Sequence, residues 1–509
     1  MTGEAPTVPA QSRFTVADRL REIRAAPRGK QVCAFFDYDG TLIDGFSAVA
    51  IARARVKSLE FGLGEALDFL LIGLRGVENE LDYAAVLEAT KPTFAGKSYD
   101  ELLDFGARLF KHETAARLRP QMWQILRVHR EMGHRIVIAS SATRFQIEPI
   151  AQEIEADHAL ATDVEVIDGI VTGEILGRPL WGPGKAAAVR ALAREYGLDL
   201  DSSFAYSDGN EDVPYLESVG HPAAISPQDR LRAVAGERGW PILELRNPDH
   251  NRLEMAVRTG ALYASFLGSA AAGYVAGLAG GDRAQTMQDT MAKGTDVGLV
   301  AAGVRVEVLD GAEHLLSARP CVFLFNHQSK LDMPVLIHLI RGEVTAVAKK
   351  EIRQLPVVGA LLGAAGLTFI DRASAGKAIE QLEPAVRKLR DEGISVVVAP
   401  EGTRSATPRL GPFKKGPFHL AMQAGVPVVP IVLRNVGELM WRGAQLVKPG
   451  TVEVRVLPPV DTSAWRPETI AEHVEEVRQM YVTALAEWPV EAFDDGRLTR
   501  TRFSGVFDR

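Results

Sequence analysis

Gln31-Val32-Cys33-Ala34-Phe35-Phe36-Asp37-Tyr38-Asp39-Gly40-Thr41-Leu42 carries a short β-rich run straight into two aspartates two positions apart. An apolar run of this length, closed by turn residues, reads as a buried strand, and ligands of a parallel sheet collect beyond the carboxyl ends of its strands. The two carboxylates can therefore converge on one metal. A carboxylate that attacks a phosphoryl group needs Mg²⁺ to offset the repulsion between anions, and a second acid to protonate the departing alkoxide. Asp37 and Asp39 suit those tasks. An acidic turn after a strand is common, but Asp-x-Asp-Gly-Thr has chance odds of roughly one in a few hundred in a chain this long.

Outward from this stretch, matching pieces follow at further strand ends and helix starts. Ser140 follows the run Arg135–Ala139 and can donate its hydroxyl to a phosphate oxygen. Lys185, in Gly182-Pro183-Gly184-Lys185 at a helix start, can offset charge developing on phosphoryl oxygens. Asp208 and Asp212 follow the run Ser203–Tyr206 and can complete an oxygen-rich Mg²⁺ site. Asp168-Gly169 between β-branched pairs predicts a hairpin. Strands alternating with helices over residues 28–245 predict an α/β domain with a parallel sheet covered on both faces.

Residues 304–490 repeat the rhythm, with strands expected at Val304–Val308, Cys321–Phe325, Val344–Ala348, Leu367–Ile370, Ser395–Ala399 and Val428–Leu433. Lys377–Asp391 reads as an amphipathic helix, and Pro467 as the first position of a closing helix that runs to Leu485. After the second of these strands comes Asn326-His327-Gln328-Ser329-Lys330-Leu331-Asp332, where one helical turn can bring His327 and Asp332 together. An imidazole whose tautomer is fixed by a carboxylate is a general base able to take a proton from an alcohol attacking a thioester. Phe369-Ile370-Asp371-Arg372 and Glu401-Gly402-Thr403-Arg404-Ser405 follow later strands, and arginine forks suit phosphate oxygens.

Between the two domains Thr259–Gly281 is uncharged, long enough as a helix to cover ~34 Å. Small residues recur every four positions at Gly260, Ala264, Gly268, Ala272, Ala276 and Gly280, with a parallel stripe at Ser265, Ser269, Gly273, Gly277 and Gly281. Such stripes serve close helix packing and would permit a homodimer. A full crossing would separate the two domains across a bilayer, and the charged Ala284–Gly303 is a poor return span. Residues 250–303 are therefore expected to be membrane-docking helices that enter one leaflet or lie at its surface, with the protein monotopic or peripheral on the cytoplasmic face of the cell membrane.

The whole chain has 509 residues, 58 basic and 65 acidic, for a net charge of −7. That is ordinary globular composition for two or three domains, with no footprint for nucleic acid. Two cysteines, Cys33 and Cys321, exclude a disulfide framework or a Cys-rich zinc site. Nothing in the N-terminus has the form of an export signal. Residues 1–27 and 491–509 read as tails.

Over residues 28–245 the four motifs resemble the haloacid dehalogenase superfamily of aspartyl-phosphate hydrolases. The resemblance implies a Rossmann-like domain with a helical cap at about residues 45–130. It makes Asp37 the nucleophile, Asp39 the general acid and base, Ser140 and Lys185 phosphate ligands, and Asp37, Asp39, Asp208 and Asp212 the Mg²⁺ site. The subclass resembles phosphoserine phosphatases, but Phe46 stands where those enzymes place a substrate-binding glutamate. A larger or more apolar phosphomonoester is the expected substrate, in keeping with the apolar Leu67, Phe69, Leu70, Leu71 and Ile72 of the cap.

Residues 300–460 resemble the glycerolipid acyltransferases through Asn326–Asp332, Phe369–Arg372, Glu401–Arg404 and Val426–Ile431. That resemblance implies His327 as base, Asp332 as its orienting partner, and Arg372, Glu401, Gly402 and Arg404 as binders of the acceptor. It also implies a lysophospholipid acceptor, lysophosphatidate foremost, and acyl-CoA or acyl carrier protein as donor. The joint expectation is a bifunctional phospholipid-synthesis enzyme. Its alternative is an acyltransferase whose N-terminal domain only binds or regulates.

Overall fold

The computed structural model describes residues 14–51, 91, 94–245, 252–279, 283–349, 363, 368–370 and 382–487. The chain divides into two units that meet between Pro248 and Asp249.

In the first unit β1 (Cys33–Phe36), β2 (Arg135–Thr143) and β3 (His158–Thr162) lead to the hairpin of β4 (Val164–Ile167) and β5 (Ile170–Ile175), and then to β6 (Phe204–Ser207), β7 (His221–Ile225) and β8 (Ile242–Leu243). The sheet order is β3-β2-β1-β6-β7-β8, with every pairing parallel. All four residues of β1 are fully buried, as expected of a strand covered on both faces. The order reverses at β1, so the ends of β2, β1 and β6 open on one crevice. Asp168 and Gly169 turn the β4–β5 hairpin with positive φ, as their dipeptide predicts.

Two expectations change here. Residues 14–27 are not a loose tail: Thr15 and Asp18 form a reciprocal cap on the helix Val16–Ala25. Arg19 of that helix is buried, its guanidinium 5.0 Å from the Phe204 ring and 4.9 Å from that of Tyr206. The cap does not extend to residue 130, because the helix Pro120–Glu131 buries Met122, Ile125, Val128 and His129 and is the crossover into β2. The cap residues Leu67 to Ile72 lie outside the described residues.

The second unit has a seven-stranded sheet built from β9 (Val304–Asp310), β10 (Val322–Phe325), β11 (Val344–Lys349), β12 (Thr368–Ile370), β13 (Ser395–Val398), β14 (Val428–Leu433) and β15 (Gly450–Val456). Its order is β12-β11-β13-β10-β14-β15-β9, parallel except between β14 and β15. β10 lies between β13 and β14, so the loops after β10 and β13 share one end of the sheet. The helix Glu383–Arg390 buries Ala385, Val386 and Leu389. The closing helix is Ile470–Ala486, so Pro467 precedes it rather than opening it.

The apolar connector is a pair of helices, Arg252–Ala276 and Arg283–Ala301, packed on one another within this unit. Among the described residues no helix is long and apolar enough to cross a membrane. The two small-residue stripes have different fates. A Cβ at Gly273 would sit 2.8 Å from Met287 Cα, and one at Gly294 would sit 2.2 Å from Ser269 Cβ, so the Ser265–Ser269–Gly273 stripe is the seam between the helices. Gly260 and Gly268, on the other stripe, have open space around them.

Candidate active sites

At the end of β1 the chain turns sharply so that Asp37 meets residues from β6 and from the helix Pro183–Tyr196. Gly40 makes the turn possible. Its φ is +73°, and a Cβ there would lie 2.1 Å from Asp208 Oδ2. Thr41 donates to Asp208 Oδ1 at 3.0 Å, which ties the β1 turn to the β6 loop.

Lys185 links the rest. Its Nζ donates to Asp37 Oδ1 at 3.0 Å and to Asp212 Oδ2 at 2.6 Å, and Ser207 Oγ donates to the same Asp212 oxygen at 2.6 Å. Burial acts against the Lys185 charge, but Asp212 and Asp37 outweigh it and hold the ammonium protonated. Burial also raises Asp37 well above the carboxylate range, opposed by Lys185 and reinforced by Asp212 and Asp208. Asp208 is pushed up to about 7, again mainly by burial. β2 runs on past the expected Ala139, so Ser140 is buried within the strand, its Oγ accepting from Ala142 N at 3.2 Å.

Asp39 stands apart. Its side chain turns to Ser47, accepting from the backbone N–H at 2.6 Å and the hydroxyl at 2.9 Å. Gln146 holds Ser47 from the far side at 3.1 Å. Burial raises Asp39 to about 6. Among the described residues no three His, Cys, Asp or Glu side chains form a group able to hold a metal ion. The expected set of four carboxylates is thus not assembled through side chains, because Asp39 points elsewhere. The donor chemistry still fits a hard divalent cation: Asp37 and Asp212 are buried on one ammonium, Asp208 is buried against Thr41, and Asp212 Oδ1 is buried with no hydrogen-bond partner. Thr41, Ser207 and Ser47 were not singled out in the sequence, although Thr41 lies inside the motif.

In the second unit Asn326 fixes the start of the histidine turn, exchanging two 2.7 Å bonds with the backbone of Leu433 at the end of β14. His327 Nδ1 lies 2.7 Å from Asp332 Oδ2. The same oxygen accepts from the backbone of Gln328 at 2.8 Å and Ser329 at 2.9 Å, so a fully buried carboxylate is satisfied on one side by three donors. Because Asp332 can only accept while ionised, Nδ1 of the neutral ring carries the proton and Nε2 is left with its lone pair. Glu401, after β13, accepts from His327 N at 2.7 Å, Ser405 Oγ at 2.7 Å and Gly411 N at 2.9 Å. Burial raises its pKa, opposed by these donors. Glu401 therefore braces the histidine loop, which a reading as an acceptor ligand did not anticipate. Gly402 adopts φ +71° against the Lys414 side chain, and Ser405 N donates to His327 O at 2.8 Å, placing Arg404 beside the turn. Arg372 lies outside the described residues.

Comparison with known proteins agrees with both halves. The haloacid dehalogenase-like hydrolase family matches residues 34–217, and the acyltransferase family matches residues 305–434. Phosphoserine phosphatase SerB1 of Mycobacterium tuberculosis is 36% identical over 260 residues, covering 50% of this chain and 82% of that protein. The 1-acyl-sn-glycerol-3-phosphate acyltransferase alpha of Ovis aries is 37% identical over 185 residues, 36% of this chain and 64% of that protein. The enzyme of the same name from Mus musculus is 35% identical over 195 residues, 38% of this chain and 68% of that protein. With a phosphoserine phosphatase-like hydrolase domain fused to a 1-acylglycerol-3-phosphate acyltransferase-like domain, the chain belongs to the haloacid dehalogenase-like hydrolases and to the acyltransferases at once.

Proposed function

We propose that the protein is a bifunctional enzyme of phospholipid synthesis, docked on the cytoplasmic face of the cell membrane by its helical pair. Its C-terminal domain transfers an acyl chain from acyl-CoA or acyl carrier protein to lysophosphatidate, giving phosphatidate. Its N-terminal domain hydrolyses a phosphomonoester. The observation that carries the acyl half is the His327–Asp332 pair, which leaves Nε2 free to act. Nε2 takes the proton of the acceptor hydroxyl as its oxygen bonds to the thioester carbonyl. The C–S bond then breaks, and the thiolate leaves with that proton.

In the hydrolase the Asp37 carboxylate bonds to phosphorus as the ester O–P bond breaks, and protonated Asp39 gives its proton to the leaving alkoxide. Ionised Asp39 then takes a proton from water, which attacks the aspartyl-phosphate and releases phosphate. A carboxyl pushed to about 6 can play both parts near neutral pH. Ser140 and Lys185 would hold the phosphoryl oxygens. Mg²⁺, if held by Asp37, Asp208 and Asp212, would supply charge neutralisation for the approaching anions. The exposed Leu253, Val257 and Val275 on the first connector helix favour a lipid surface as the docking partner. A non-catalytic N-terminal domain is disfavoured by Lys185 lying between Asp37 and Asp212, a buried charge cluster that costs stability without serving packing.

Incubating the protein and vesicles with labelled lysophosphatidate and acyl-CoA should yield phosphatidate by mass. A panel of phosphomonoesters should show phosphate release that stops on chelation. An inactive chain in both assays would refute the proposal.

A further inference from the structure

Arg442 lies in a loop with no recognised motif, between the short helix Val436–Leu439 and β15. That loop is fastened on several sides. Met440 O accepts from Ser329 Oγ at 2.5 Å, Gln445 Oε1 accepts from Lys330 Nζ at 3.2 Å, and Val447 N donates to Thr259 Oγ1 of the connector helix at 2.8 Å. The result sets two like charges side by side. Arg442 Nη1 donates to Arg404 O at 2.5 Å, and Arg404 Nη1 donates to Arg442 O at 3.3 Å.

Two guanidiniums held together by each other's backbone repel unless an anion lies between or over them. Glu438, the one acid between residues 402 and 452, faces Arg434 at 4.0 Å. Glu401 is already committed to His327, Ser405 and Gly411. Among the described residues neither arginine forms an ion pair, while the nearby, largely buried Arg434 pairs with Glu453. Burial and the neighbouring Arg404 both lower the Arg442 pKa, as expected of a cation kept without a counter-charge.

Resting on the acyltransferase reading, we infer that Arg442 is a second phosphate-binding residue, acting with Arg404 as a two-guanidinium clamp on the phosphomonoester of the acyl acceptor. Paired forks match a dianionic terminal phosphate better than the single charge of a phosphodiester headgroup. Acyl-CoA also carries phosphates, so the kinetic arms must separate acceptor from donor.

The test is steady-state acyl transfer by the full chain with vesicle-borne lysophosphatidate, varying acceptor and donor in turn. For Arg442→Ala the acceptor KM should rise tenfold or more, with kcat within about twofold and the donor KM unchanged. Arg442→Lys should recover part of the loss. Lysophosphatidate binding to His327→Ala, measured by calorimetry, should weaken by a similar factor when Arg442→Ala is added. An unchanged acceptor KM in an Arg442→Ala protein with the wild-type melting temperature overturns the inference, as does a change confined to the donor KM. A wild-type chain that binds lysophosphatidate but does not acylate it would instead overturn the reaction reading, and the calorimetric arm would then judge the clamp alone.

Discussion

Gly40 shows how one residue couples the two ends of a site. Its positive φ bends the chain after β1, and its missing side chain admits the Asp208 carboxylate. Gly40→Ala should abolish phosphate release and lower the stability of the hydrolase unit by roughly 1–3 kcal/mol, through a strained φ and a displaced carboxylate. Phosphate-release assays and thermal melts check this; normal turnover in the variant would mean that Asp208 need not stand there. Several chemistry-bearing side chains were legible because they sit one to three residues past an apolar run, as Asp37 and Asp39 do after β1, Asp208 after β6 and His327 after β10. Arg442 was illegible because its place depends on a loop fastened by three distant elements, which no local spacing records. Ser47 was hidden likewise, since only the folded turn brings it to Asp39.

At the scale of elements, the connector shows why a stripe of small residues is ambiguous. Both stripes repeat every four positions, yet one is the seam of an intramolecular helix pair and the other is open. Gly294→Leu should lower the melting temperature of the acyltransferase unit, because Ser269 occupies the space its side chain needs. Gly268→Leu should leave that temperature unchanged, and would impair a dimer only if the open stripe pairs two copies; equal effects of both variants on the melt would contradict the packing.

In the hydrolase core the crossover helix brings a second buried device. His134 Nε2 faces Pro27 O at 2.9 Å and so must donate, which leaves its Nδ1 to accept from His129 Nδ1 at 2.8 Å. His129 Nε2 then accepts from Tyr206 hydroxyl at 2.7 Å. A proton added to His129 forces the Tyr206 hydroxyl to turn from donor to acceptor, and one on each ring sets two N–H groups against each other. Burial, chiefly, depresses both pKa values below the ordinary 6.5, so the folded state binds fewer protons than the unfolded chain. Their contribution is therefore full above about pH 6.5 and lost as pH falls below it. Melts from pH 8 to 5 should fall less steeply for His129→Gln than for the wild type, and parallel curves would contradict the pair's role. β15 was missed in the sequence for a related reason. It interleaves Thr451, Glu453 and Arg455 with valines, and Glu453 is buried because Arg434 of the neighbouring strand end pairs with it at 2.6 Å. Cross-strand pairing supplied what the hydrophobic pattern lacked.

For the molecule as a whole, the sequence spoke clearly on two α/β domains because their sheets are buried on both faces, which forces long apolar runs into β1, β10, β13 and β14. It spoke poorly on edges and connections, where polar partners and helix pairs substitute for a run. Each domain has its own cluster of charged side chains beyond the ends of its parallel strands, so the two chemistries should be separable by single substitutions. The decisive measurement is a paired assay on the full chain: phosphate release and phosphatidate formation in wild type, Asp37→Asn and His327→Ala. The account predicts that Asp37→Asn loses phosphate release at least a thousandfold while keeping acyl transfer, and that His327→Ala does the reverse. Phosphate release that survives Asp37→Asn, or acyl transfer that survives His327→Ala, would contradict it.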